Sequence, residues 1–211
     1  MKIKFSFTDQ HYKEVVQRAN FLGISRTAVI LLHLYLYEER YADLSQEALQ
    51  VQWESLEPLQ NTIQVGVPDA LIAMYANHKT YFLSASAYFT GFLNAVLKET
   101  SGSWRTSEQL QERMPTTLYL DQKIIDQVEL FSQQTGLQFS VIATYYLTYA
   151  LPDDERRSCE ATEKVQFGVR LTDWAHNRLK ERADATRQKP NQVLSIGFQD
   201  FLDKKIFPSG Y

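Results

Sequence analysis

The side chains of this 211-residue chain that could do chemistry are cations, amides and hydroxyls spaced to hold anions. Lys2, Lys4 and Ser6 alternate with Ile3, Phe5 and Phe7, so on an extended strand the polar three share one face. Ser25-Arg26-Thr27 opens a strongly apolar helical stretch. Free backbone N–H groups and the positive end of the helix dipole attract an anion such as phosphate at such a start. Ser84-Ala85-Ser86, Gln138-Phe139-Ser140 and Lys189-Pro190-Asn191 stand in the same place further along, and Arg187 adds charge beside the last of them. Ser25, Arg26, Thr27, Ser84, Arg187 and Lys189 are therefore the candidate phosphate contacts. Groups spaced for catalysis are missing. His11, His33, His78 and His176 show no metal-ligand spacing with one another or with Cys159. The chain carries no P-loop, no glycine-rich dinucleotide fingerprint and no nucleophile elbow. The expectation is a protein that is not an enzyme and needs no metal or cofactor. His33, in the middle of an apolar stripe, reads as a core residue. Cys159, the single cysteine, has no internal disulfide partner and reads as an incidental thiol.

These residues recur at matching places because the chain repeats one unit four times: an alternating strand, an amphipathic helix, a turn and a second, nearly all-apolar helix. The strands end at Phe7, Val67, Leu120 and Leu171, and Ser25, Ser84, Gln138 and Lys189 precede the second helices. The interval between the two is 18, 17, 18 and 18 residues. Thr8-Asp9, Asp69, Asp121 and Thr172-Asp173 supply helix N-caps after the strands. Gly23 suits a helix C′ position; Phe82 and Arg187 replace that glycine in the second and fourth copies. The units span 1–41, 61–99, 115–151 and 164–205. Between them lie a helical connector (42–60), a second connector (100–114) with a short helix from about Thr106, and an acidic loop (152–163). One unit of about 40 residues has too little core and a lone strand with a bare edge, so copies must pair. Consecutive units usually lie adjacent, which favours the first with the second and the third with the fourth.

The order strand–helix–turn–helix, and above all "KFSFTD…LGISRTAVI" in the first copy and "VQFGVRLTD" in the fourth, resembles the ribbon-helix-helix family of DNA-binding proteins, the Arc, MetJ and CopG type. The four copies cover about three quarters of the chain. The resemblance implies a mainly α fold with short antiparallel two-stranded ribbons, four ribbon-helix-helix units forming two intrachain pseudo-dimers, and each ribbon entering the DNA major groove. Carried over position by position, the groove-facing residues are Lys2, Lys4 and Ser6; Thr62, Gln64 and Gly66; Pro115, Thr117 and Tyr119; and Gln166, Gly168 and Arg170. Base contact is assigned to Lys2, Lys4, Ser6, Gln64, Thr117, Gln166 and Arg170, since Lys and Arg suit guanine acceptors and Gln suits adenine. Gly66 and Gly168 have no side chain with which to read a base.

The formal charge of −3 counts against a simple nucleic-acid binder, but its distribution does not. Residues 1–41 carry +2 and 164–205 carry +4, while 42–61 carry −4 and 152–163 carry −3. No run of 18 apolar residues and no secretory signal is seen, so a cytoplasmic protein with no membrane partner is expected. The leading expectation is sequence-specific binding to double-stranded DNA, as a transcriptional repressor or an accessory factor at a plasmid or mobile-element site, by a chain that is a monomer of two pseudo-dimers and could associate further. The alternative is a protein-interaction adaptor on a ribbon-helix-helix scaffold that has lost readout. Its partner would dock on the connector helices or on the tyrosine-rich second helices, which carry Tyr35, Tyr37, Tyr145, Tyr146 and Tyr149.

Overall fold

The computed structural model describes residues 1–42, 59–76, 84–150 and 163–203. They fold into two compact units, 1–108 with 134–136 and 109–133 with 137–211. The first unit contains β1 (Lys2–Phe7), α1 (Asp9–Leu22), α2 (Arg26–Ala42), β2 (Asn61–Gly66), α3 (Asp69–Ala76) and α4 (Ala85–Glu99). The second contains β3 (Arg113–Asp121), α5 (Gln122–Thr135), α6 (Phe139–Tyr149), β4 (Lys164–Thr172), α7 (Asp173–Thr186) and α8 (Pro190–Leu202). The described residues are thus mainly helical, with two small antiparallel sheets among them, β1 with β2 and β3 with β4.

Local signals set the element boundaries. Thr8 accepts from the His11 N–H at 3.1 Å and Thr172 from the Ala175 N–H at 3.2 Å, each starting the helix after its strand. Gly23 closes α1 in the left-handed region at φ 61°, and its N–H turns back onto the last carbonyls of the helix. Arg187 adopts the same conformation (φ 52°) at the end of α7, so the turn forms there without glycine. Ser25 and Ser84 then cap α2 and α4 through the N–H groups of Ala28 (3.1 Å) and Ala87 (3.2 Å).

The strands alternate as their sequences require. Ile3, Phe5, Phe7 and Val65 point inward and are buried, as are Leu118, Leu120, Val169 and Leu171. The second helices fill the space beneath. In the first unit α4 packs under β1 and α2 touches β2, with α2 and α4 against each other. In the second, α8 packs under β3 and α6 under β4, with α6 against α8. Each second helix therefore supports a strand other than its own. Gly197 of α8 marks the tightest point, since a Cβ there would collide with the Tyr146 ring of α6. Tyr35, Tyr37, Tyr145, Tyr146 and Tyr149 are buried in these cores. The expectation that they form a partner surface is corrected: the helices that carry them are enclosed by strands and helices of the same unit.

A two-stranded ribbon has two bare edges, and side chains of the paired second helices meet those of β1, β3 and β4. The Ser6 N–H donates to Thr90 Oγ1 of α4 at 3.2 Å, and the Ser6 carbonyl accepts from Asn94 at 2.8 Å. In the second unit the Arg170 N–H donates to Ser140 Oγ of α6 at 2.9 Å, and the Tyr119 carbonyl accepts from Asn191 of α8 at 3.0 Å. Main-chain groups left unpaired at a sheet edge invite other strands; here side chains take them up.

A second repeated device is a buried arginine ten residues after the N-cap. Arg18 is fully buried; it donates to the Thr100 carbonyl at the end of α4 (3.1 Å), to Thr100 Oγ1 (3.0 Å) and to Glu14. Arg182 donates to the Ala150 carbonyl at the end of α6. Each guanidinium meets the negative end of the second helix of the neighbouring copy. Around Arg18, the His33 Nδ1–H donates to the Val29 carbonyl (2.7 Å), which leaves Nε2 to accept from Arg18 at 2.5 Å. Trp104 stacks on His33 with 4.3 Å between ring centroids and lies 5.0 Å from the Arg18 guanidinium carbon. Burial, reinforced by Arg18, holds the His33 pKa well below its ordinary value, so the ring is neutral.

The second connector differs from its expected form. Residues 105–112 form no helix; the chain runs along α1, where the Ser107 N–H donates to the Gln17 carbonyl (3.1 Å) and the Glu108 carbonyl accepts from Asn20 (3.0 Å). Gln17 Nε2 and Lys13 Nζ reach the Glu108 carboxylate at 2.5 and 3.5 Å. Tertiary contacts with α1 outweigh the local helix propensity of "SEQLQER". β3 then begins at Arg113, two residues before the expected Pro115. The expected helix over 42–60, Phe82, Cys159 and nearly all of the acidic loop lie outside the described residues.

Arg18→Ala leaves buried acceptors without their donor and is expected to destabilise the first unit by about 3–5 kcal/mol in urea melts. Above pH 6.5 His33 is neutral in both folded and unfolded chains; below it, the unfolded chain binds a proton that the fold refuses. Stability should therefore fall as pH drops from about 6.5, and the difference between melts at pH 7.5 and 5.5 should shrink in His33→Gln.

Candidate nucleic-acid interface

The outer faces of the two ribbons carry the chemistry. In the first, the register sets Lys2 opposite Gly66, Lys4 opposite Gln64 and Ser6 opposite Thr62. All are exposed apart from Ser6, which is half-buried. In the second, Pro115 faces Arg170, Thr117 faces Gly168 and Tyr119 faces Gln166, and all six are exposed. The same strand position, three residues before the residue that ends each repeat strand, lies opposite its counterpart in both ribbons: Lys4 with Gln64, and Thr117 with Gly168. The two strands of a ribbon are thus interchangeable about this central pair.

Charge on these faces is one-sided. The first face holds Lys2 and Lys4 and no acid. The second gains a cation that sequence reading missed: Arg113, opposite Thr172 at the ribbon end, shares the outer face with Arg170. Burial of Arg113 and the nearness of Arg170 lower its pKa from the ordinary value, two like charges at one end of the ribbon. Lys164 stands at the other end, opposite Asp121. Asp121 is buried, and its carboxylate accepts from the Lys123 N–H at 2.9 Å, so it is turned to capping rather than to the face. Arg113 was hidden because "ERMP" resembles a connector, and only the ladder to Thr172 makes it part of the strand.

The starts of α6 and α8 meet the second ribbon through Ser140 and Asn191, and the four helix starts differ among themselves. Ser25 and Arg26 are exposed and Thr27 is half-buried. Arg26 donates to Tyr12 Oη at 2.5 Å, and its guanidinium carbon lies 5.9 Å from the Tyr12 ring centre. Ser84 caps α4 and is exposed. Gln138 makes no side-chain cap at α6, and Phe139 there packs tilted against Phe167 with 4.4 Å between ring centroids. That start is turned to packing. At α8, Gln192 accepts from the Lys189 N–H at 3.0 Å, Pro190 occupies the first turn, and Arg187 and Lys189 are exposed.

Among the described residues, no group of three or more His, Cys, Asp or Glu is arranged to hold a metal ion, and no single helix is long and apolar enough to cross a membrane. No protein-family model, no curated protein and no solved structure matches this chain.

A Cβ at Gly66 or Gly168 would meet nothing within 4 Å. Gly66→Ser and Gly168→Ser should each change stability by less than about 0.5 kcal/mol in denaturant melts; a larger loss would mean that the outer face is covered.

Proposed function

We propose that this protein binds double-stranded DNA sequence-specifically through its two ribbons, as a ribbon-helix-helix protein in which copies one and two, and copies three and four, form intrachain pseudo-dimers. The exchanged packing of second helices under strands supports the pairing. The observation that carries the reading is the pair of exposed, cation-bearing ribbon faces on which no exposed carboxylate stands. A two-stranded ribbon fits the major groove, which is about 12 Å wide. Lys2, Lys4, Arg113 and Arg170 can donate to guanine O6 and N7, Gln64 and Gln166 suit adenine, and Ser6 and Thr117 can contact either base type. Ser25, Arg26, Thr27, Ser84, Arg187 and Lys189 fit phosphate contacts beside them. Such a protein acts as a transcriptional repressor or as an accessory factor at a plasmid or mobile-element site, in the cytoplasm.

A second reading, an adaptor that has lost readout, draws on the second ribbon. Its centre is Thr117 and Gly168, with little reach, and Tyr119 and Met114 are exposed nearby. If that ribbon does not read DNA, Arg113→Ala with Arg170→Ala leaves DNA affinity unchanged.

Binding to duplex DNA measured at several salt concentrations should give log K falling linearly with log salt; a flat plot would overturn the reading. Against a selected duplex, Lys4→Ala and Arg170→Ala should each cost about 1–3 kcal/mol, and Thr117→Ala less. Equal losses would argue against readout led by the cations.

A further inference from the structure

We propose that the first ribbon is a directional reader: it takes an asymmetric duplex in one orientation, with its Lys2–Lys4 end over guanines and its Ser6–Thr62 end over A·T pairs. This rests on the DNA-binding reading above and adds the composition and polarity of the site. The register makes β1 and β2 exchangeable about the Lys4–Gln64 pair, so a ribbon with equal strands would read a palindrome. These strands are not equal. From one end to the other, the outer face runs Lys2 with Gly66, then Lys4 with Gln64, then Ser6 with Thr62. Two ammonium groups, donors only, lie at one end and the middle, both on β1. Gly66 leaves its half of that end empty, with open space where a side chain would be. Gln64 at the centre presents a donor and an acceptor together, the pattern that matches adenine N6 and N7. At the far end Thr62 offers a hydroxyl and a methyl group, which suits the methyl of thymine. The fold holds this gradient in place. The Ser6 N–H and carbonyl are fastened to Thr90 and Asn94 of α4, so the far end cannot slip along the groove independently.

The test exchanges the six outer-face residues between the strands: Lys2→Thr, Lys4→Gln, Ser6→Gly, Thr62→Lys, Gln64→Lys and Gly66→Ser in one full-length variant. Charge and composition of the face are conserved. Five of the six positions are exposed and the sixth is half-buried, so the fold is kept, and a urea melt checks it. Orientation is read by a cleavage reagent, an iron chelate on a cysteine introduced at exposed Gln10 with Cys159→Ser in both proteins. Gln10 follows Asp9, whose carboxylate accepts from Asn61 at 2.5 Å, so the chelate stands at the Ser6–Thr62 end. Duplexes selected from a random pool should carry an asymmetric first subsite. The unexchanged protein should cut beside its A·T end, and the exchanged one beside its guanine end. A palindromic first subsite, or a cut that stays in place after the exchange, overturns the directional reading while leaving DNA binding intact. Selection that enriches no sequence removes both.

Discussion

A two-stranded ribbon can leave one face open only if its other face is covered, and here a helix from the neighbouring copy covers it and also takes up edge groups of β1, β3 and β4. Asn94 and Thr90 of α4 close the outer edge of β1; Ser140 of α6 and Asn191 of α8 do the same for β4 and β3. The inward residues Phe5, Phe7, Leu120 and Leu171 are buried on those helices. Two strands alone are marginal in water, so the ribbons exist because of this cover. The exposure of Lys4, Gln64, Gln166 and Arg170 follows from the same alternation.

The buried arginines add a polar tie between neighbouring copies. Arg18 in the first copy and Arg182 in the fourth each end on a carbonyl that closes the second helix of an inner copy. The matching position in the third copy is Phe131, which meets Phe201 edge to face. Each of these two buried guanidinium groups is met by the end of a helix in the copy beside it, which ties the first copy to the second and the fourth to the third.

Much of this was legible in residue order. Alternation in "KIKFSF" and "VQFGVRLT" marks the strands and their outer faces, and Thr8, Gly23, Ser25 and Thr172 mark the helix boundaries, because each of these signals is local. The aligned strand ends at Phe7, Val67, Leu120 and Leu171 also anticipate the shared centre of the two registers. What was not legible depends on contacts far apart in the chain. Arg18 on an amphipathic helix reads as solvated until Thr100 and Trp104 enclose it. Arg113 reads as connector until Thr172 pairs with it. "SEQLQER" has good helix formers, yet contacts with Gln17 and Asn20 of α1 keep its backbone out of a helix. The tyrosines of α2 and α6 have amphipathic rings that suit a surface or a core, and only the exchanged packing makes them core.

The placement of Trp104 and Glu108 bears on how the first unit is completed during synthesis. A nascent chain that has left the ribosome only as far as Glu99 already owns β1, β2 and α1 through α4. It lacks the Thr100 carbonyl that receives Arg18, the indole that roofs His33, and the carboxylate that grips Lys13 and Gln17. Until those residues emerge, Arg18 has Glu14 and His33 beside it but not the Thr100 oxygens. One short stretch, residues 100–108, supplies all three of these closing contacts.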